Sequence, residues 1–280
     1  MSLPLFKEEI HLKADNEQET VQNGLLSFVN VSRSGIQILK RNKSFKLIEF
    51  IDLRFPFSTE NGVWSNRVKD ILETSAFMAH IEGTETVFSV SDSSVTVVPS
   101  SLYSEKEKGR NFGFVFGESE KVIILDQALS NSDITGIFSV TQAFSESISK
   151  PIQSSYLNWL DSLATESSKV KAHLVVEEKQ FALVIFKDGN LAFANWFEFG
   201  KAEDVLYYLM ASLETLKILH SEVDLVLSGA IDKGDEIHAG ISKFISKLSF
   251  AKRPKNLTYS YSFKEIPEHR YPFIFSAACA

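Results

Sequence analysis

Three short stretches carry the residue types from which a site could be built. Asn30-Val31-Ser32-Arg33-Ser34-Gly35 sets two hydroxyls, a guanidinium and a glycine in one turn, a combination that tolerates an anion. Glu177-Glu178-Lys179-Gln180 has the opposite character. It has no glycine to admit a ligand to the backbone, and its two carboxylates repel an anion by ~4 kcal/mol per close pair at an effective dielectric of about 20. Leu227-Ser228-Gly229-Ala230 ends an apolar run with one hydroxyl and one glycine. Just beyond it, Asp232, Asp235 and Glu236 are able to hold a cation, although acids at a helix N-terminus are favourable without one.

Other chemistry finds no support. The sequence has no His-Glu-x-x-His, no Gly-x-x-x-x-Gly-Lys-Ser/Thr, no Gly-x-Ser-x-Gly and no EF-hand spacing. Its six histidines (His11, His80, His173, His220, His238, His269) are far apart, and the helix dipole accounts for two expected at helix ends, His80 and His220. No serine is paired with an evident base. The one cysteine, Cys279, excludes a disulfide framework and a cysteine metal site.

The elements that must position these stretches repeat. Residues 24–32, 35–40 and 45–53 read as three strands, followed by a helix near 63–80; residues 171–176, 181–186 and 191–199 read the same way, followed by a helix near 202–219. Asn42-Lys43 is a two-residue hairpin candidate, and Asp188-Gly189 is a strong type I′ signal. The first helix carries Val63, Val68, Ile71, Leu72 and Phe77 as a core stripe; the second carries Val205, Leu206, Leu209, Leu213 and Leu216. Between the repeats, strands are expected at 86–90, 95–98, 112–116, 122–125 and 134–140, with helices at 141–149 and 156–163. Residues 104–110 read as a charged loop or short helix. After the second repeat come a strand at 223–227 and a helix at 236–248. Strand triplet, helix, strand, helix in each half defines an α/β chain with mixed sheets, the strand after each helix pairing in parallel through a right-handed crossover. The composition shift at 165–169 sets two domains, 1–165 and 166–280.

Bulk composition narrows the partners. The formal net charge of −7 with no Lys/Arg cluster disfavours nucleic acid, because phosphate neutralisation supplies most such affinity; Lys252-Arg253-Pro254-Lys255 reads as a solvated loop. No apolar run approaches the ~20 residues of a bilayer span, and the N-terminus lacks a secretory pattern, so a cytoplasmic protein is expected. Twenty-three phenylalanines against 13 glycines suit packed sheets better than glycine-lined phosphate loops.

In this order of elements the chain resembles the superfamily of actin, sugar kinases and heat-shock chaperone ATPases. More narrowly it is similar to a bacterial domain-of-unknown-function family with an actin-like ATPase fold, in outline like the pilus-assembly actin-like proteins. The carrying segments are 25–53, 181–199 with its helix, 223–229 and the His269-Arg270-Tyr271-Pro272-Phe273 ending. The resemblance implies two related actin-like (ribonuclease H-like) halves with nucleotide between them. It implies phosphate loops at Ser32, Arg33, Ser34, Gly35 and at Glu177, Glu178, Lys179, Gln180, with an adenosine turn at Ser228 and Gly229. Asn30 stands where the superfamily has its acid, the second loop has no glycine, and one glycine of the adenosine pair is missing. The expectation is therefore a binding or scaffold module without a cofactor, metal or catalytic residue; the alternative is a nucleotide-binding protein or slow ATPase using ATP with Mg. A protein partner is expected, and a homo-oligomer is compatible with the sequence.

Overall fold

A computed structural model describes residues 7–14, 24–55, 63–91, 94–117, 121–163 and 169–279, with the backbone alone for 63–67. The expected boundary at 165–169 falls largely outside the described residues, as does the side chain of Val63. By their contacts the residues group into two units: Met1–Trp159 with Pro254–Glu265 and Phe273–Ala280, and Leu160–Arg253 with Ile266–Pro272. This division and the expected halves 1–165 and 166–280 differ in the tail. There Arg41 Nε donates to Ala278 O at 2.7 Å, and Phe275 stacks on Phe50 at 6.1 Å, so the last residues join the first unit.

The first unit opens with β1 (Lys7–Lys13), β2 (Leu25–Ser32), β3 (Gly35–Asn42) and β4 (Leu47–Arg54). Helices α1 (Val63–Leu72) and α2 (Ser75–Ile81) follow, where one helix over 63–80 is expected. The break is chemical: Thr74 leaves helical geometry and its hydroxyl accepts from Phe77 N at 3.2 Å, capping α2. Then come β5 (Glu85–Ser91), β6 (Val95–Pro99), α3 (Lys108–Phe116), β7 (Val122–Ala128), β8 (Ile134–Thr141), α4 (Gln142–Ser147), β9 (Ile152–Ser154) and α5 (Ser155–Leu163). Residues 112–116, expected as a strand, are helical. Phe112 and Phe116, four residues apart, bring their rings to 4.7 Å, and Phe112 is buried. The Asn42 turn is longer than two residues: Asn42 Oδ1 accepts from Ser44 N at 3.0 Å and Lys46 N at 2.9 Å, with Phe45 at φ 60°.

Six strands pair in the order β1-β4-β3-β2-β5-β9 and three in the order β6-β8-β7. β2 runs antiparallel to β3 and parallel to β5, as the crossover requires. β1 is the edge strand of the six-stranded sheet.

The second unit carries β10 (Val170–Val176), β11 (Gln180–Lys187), β12 (Asn190–Glu198), α6 (Ala202–Thr215), β13 (Asp224–Gly229), α7 (Glu236–Ser242) and β14 (Lys247–Phe250). The tail adds α8 (Pro272–Ala277) to the first unit. The sheet order is β12-β11-β10-β13-β14, with β10 antiparallel to β11 and parallel to β13. The local order β12-β11-β10-β13 repeats β4-β3-β2-β5 of the first unit. Asp188 (φ 51°) and Gly189 (φ 77°) form the expected two-residue hairpin with both residues left-handed. The stripe Val205, Leu209 and Leu213 of α6 is buried on Leu174, Leu183, Ile185 and Leu225, each side chain contributing ~1.5–3 kcal/mol. α6 ends at Thr215, so His220 lies past it, with Nδ1 2.9 Å from Phe244 O. α7 stops at Ser242 and leaves room for β14, which the expected helix to 248 misses. Among the described residues no helix is long and apolar enough to cross a membrane.

Besides its main-chain pairing with β4 and the 3.7 Å approach of Arg54 Nε to Glu9, β1 is held to the sheet by one buried carboxylate. Glu49 of β4 meets His11 Nε2 at 2.7 Å and accepts from Lys40 Nζ, with Lys13 Nζ at 3.6 Å. Burial alone raises the Glu49 pKa, but the Lys40 and His11 hydrogen bonds outweigh it and hold the carboxylate below its ordinary value. A depressed folded-state pKa stabilises above the unfolded carboxylate range, and the contribution is lost as pH falls through the folded value. Urea unfolding should therefore show Glu49→Gln less stable than the parent by ~1–3 kcal/mol at pH 7, the gap closing toward pH 3. A gap independent of pH would show that the carboxylate charge is not what holds β1.

Candidate functional site

In the first unit the candidate residues sit on the turn from β2 to β3. Ser32 Oγ donates to Gly35 O at 3.2 Å and shares a 3.2 Å hydrogen bond with Ser34 Oγ. Arg54 of β4 donates from Nη1 to Ser34 Oγ at 3.0 Å, and Phe55 N donates to Ser34 O at 3.0 Å. Both hydroxyls are thus engaged by the protein, while Arg33 is half-buried. Gly35 has its own reason: a Cβ there would lie 2.1 Å from Leu53 O, so β4 cannot pass a side chain at this register.

Below the turn runs a row of polar side chains that sequence reasoning misses. Ser89, Asn30, Gln37 and Asp52 are direct cross-strand partners on β5, β2, β3 and β4. Ser89 Oγ donates to Asn30 Oδ1 at 3.3 Å, Asn30 Nδ2 to Gln37 Oε1 at 2.9 Å, and Gln37 Nε2 to Asp52 Oδ1 at 3.3 Å. Arg54 Nε closes the row on Asp52 Oδ2 at 3.0 Å. Asn30 is buried and serves this row. Polar residues inside four apolar strands are a visible signal, but only the pairing register shows that they meet. One hydroxyl stays open: Ser91, paired with Ser32 at the carboxyl end of β5, is buried and its Oγ has no hydrogen-bond partner among the described residues.

In the second unit the structure brings the other two stretches together, at the carboxyl ends of the parallel pair β10 and β13, where α/β sheets bind ligands. Glu177 N donates to Gln180 O at 2.8 Å, closing a turn with Glu178 and Lys179 exposed. Gln180 belongs to β11 and is buried. Ser228 is buried at the end of β13. The three amides after it are all used: Gly229 N donates to His269 O at 2.8 Å, Ala230 N to Val176 O at 2.6 Å and Ile231 N to Gly229 O at 2.9 Å. Gly229 (φ 83°) would set a Cβ 2.2 Å from Val176 O.

The acids after this turn have local partners. Arg270 Nη2 donates to Asp232 Oδ2 at 2.5 Å, and Asp235 caps α7 by accepting from His238 N at 2.8 Å. His269 lies beside them, its pKa lowered chiefly by burial, partly countered by a hydrogen bond with the Ile231 backbone. Among the described residues no three His, Cys, Asp or Glu side chains are grouped to hold a metal ion. These residues do not fit a triphosphate with its metal. The Glu177–Glu178 acids stand where the resemblance calls for phosphate donors, and the amides after Ser228, where it calls for the adenosine, are spent on protein carbonyls.

The strand order and strand-end turns define the class: the chain has the actin-like ATPase fold. A Bacteroides thetaiotaomicron protein of actin-like ATPase fold and unknown function is similar to it, with a TM-score of 0.73 and 16% identity over 93% of this chain and 98% of that one. A chain of the PilM–PilN type IV pilus biogenesis complex is similar with a TM-score of 0.59 and 12% identity, over 92% of this chain and 98% of that one. The profile of a family described as protein of unknown function (DUF3822) matches residues 16–248, and the chain belongs to that family. No curated protein is detectably similar in sequence.

The two roles open to Gly229 separate in the unliganded protein. Gly189→Ala, at φ 77° in open space, should cost ~1–2 kcal/mol from left-handed strain alone. Gly229→Ala should cost that and a further ~1–3 kcal/mol from the collision with Val176 O, read as the difference in denaturation midpoints. Equal costs would mean that the strand does not require this glycine.

Proposed function

We propose that this protein is a binding or scaffold module on an actin-like fold whose nucleotide loops no longer hold a triphosphate tightly. The observation that carries the reading is the use of the Gly229, Ala230 and Ile231 amides by protein carbonyls beside a glycine-free acidic turn. Fold alone does not fix function, so the loss of donors at the strand ends outweighs the ancestry of the architecture. The repeated strand order supports treating 1–165 and 166–280 as two related halves. A protein is the favoured partner: PilM, of similar fold, is known in a complex with PilN. The net charge of −7 argues against nucleic acid. A cytoplasmic location, a homo-oligomer and the absence of catalysis belong to the same reading.

A second reading, a nucleotide-binding protein or slow ATPase using ATP with Mg, is favoured by one observation. Among the described residues Ser91 Oγ is buried without a hydrogen-bond partner opposite Ser32, which shares its turn with Arg33, a place able to take an anion.

Thermal unfolding with Mg-ATP separates the two. A ligand at 100 times its Kd stabilises by ~2.7 kcal/mol, a shift of a few degrees or more. The module reading expects no shift at millimolar nucleotide and no ATPase activity. It also expects Glu177→Ala with Glu178→Gly to raise affinity, and Ser32→Ala to leave nucleotide binding unchanged. Micromolar ATP binding by calorimetry, abolished by Ser32→Ala, would establish the second reading instead.

A further inference from the structure

The three-stranded sheet of the first unit carries a groove of about 1030 Å³ between β6 and α3. Its strand side is formed by four consecutive residues, 96–99. Side chains alternate between the faces of a strand, so a groove lined by consecutive residues runs along the strand's edge and meets its main chain.

That edge is open. Ser94 O accepts from Ser139 N and Ser100 N donates to Asp133 O, so the even-numbered residues of β6 face β8. Val95 and Val97 therefore turn their N–H and C=O groups outward, and Pro99 its C=O. Among the described residues no strand pairs with this side. The helical wall bears Gly109, Arg110 and Phe114, with Leu102 at the margin. Phe114 is 92% exposed and Leu102 75%, large apolar surfaces left beside unpaired main chain.

We propose that the outer edge of β6 receives an extended segment of a partner protein, added as a fourth strand alongside α3. This names the partner chemistry of the module reading above and rests on it. Strand addition takes affinity from main-chain bonds and specificity from alternate side chains. The segment it fits has apolar residues at alternate positions, to cover Phe114 and Leu102, and an acid near Arg110. Arg110 is the charged lining residue among those described, 84% exposed and holding only Glu107 of its own chain at 3.4 Å. A second copy is the poorer occupant, because a two-fold contact sets identical surfaces together and this lining brings no acid to Arg110.

A displayed library of random short peptides, selected on the full chain, tests the proposal. The expected result is enrichment of alternating apolar sequences carrying an acid, with slowed amide exchange at Val95 and Val97 on binding. Val97→Pro removes one outward N–H and spares the β8 ladder, so it should weaken those peptides about tenfold or more with the melting temperature kept. Phe114→Asp, at an exposed position, should do the same, and Arg110→Glu should select against the acid. The proposal is overturned if no peptide is enriched, or if selected peptides bind all three variants unchanged. It is equally overturned if the free chain forms a dimer that Val97→Pro dissolves. ATP binding beside retained peptide binding would defeat the degenerate-loop reading alone, whereas absence of both would defeat only the edge.

Discussion

At the two strand ends where the resemblance to the actin-like fold calls for a nucleotide, phosphate at one and adenosine at the other, the main chain of this protein comes so close to itself that only glycine fits. Gly35 lies against Leu53 O and Gly229 against Val176 O, each leaving little more than 2 Å for a Cβ. A phosphate loop uses glycine so that a ligand can approach the backbone. Here the group that approaches is a neighbouring strand, and at Gly229 the contact consumes donors as well as space: Ala230 N is committed to Val176 O. The same residue type at the same place serves strand closure, and the neighbouring amides are satisfied before any ligand arrives.

The row from Ser89 through Asn30 and Gln37 to Asp52 follows the same logic inside the first sheet. Buried polar groups are costly unless bonded, and each member of this row has a partner in the next strand. A slip of one residue in any of the four strands would turn its polar member to the opposite face, so the row also fixes register. Through Arg54 it reaches the turn, because the guanidinium that closes on Asp52 also donates to Ser34. The hydroxyls read as anion ligands are thereby braced by the sheet beneath them. Ser91 Oγ stands outside this bracing.

Local signals carried much of the fold. Asp188 and Gly189 both take positive φ because the type I′ turn demands it, and residue type alone conveys that. The strand triplets and the α6 stripe follow from period-two and helical spacing. Residues 112–116 misled because Phe114, Val115 and Phe116 are apolar yet exposed, so hydrophobicity there does not report burial. The site was legible only as composition. Whether Gly229 opens a loop or closes a strand depends on a carbonyl 53 residues away in sequence, at Val176, and the Asp52 row depends on pairing four strands. Such facts belong to register, which no local pattern encodes.

The sheet edges show where the remaining capacity for recognition lies. β1, the edge of the six-stranded sheet, reads Lys-Glu-Glu-Ile-His-Leu-Lys and is exposed along most of its length, a charge pattern that discourages another strand from joining. β6 reads Val-Thr-Val-Val-Pro; the proline at its end removes one outward donor, and among the described residues no strand pairs with the outward side of those before it. Two edges of one unit are thus treated oppositely. Where charge could have been placed on β6 as it is on β1, the chain instead has β-branched residues beside exposed Leu102 and Phe114. Donors spent internally at the Gly229 turn, together with an apolar β6 edge that no described strand covers, are what favour a protein segment over a small ligand as the partner we propose.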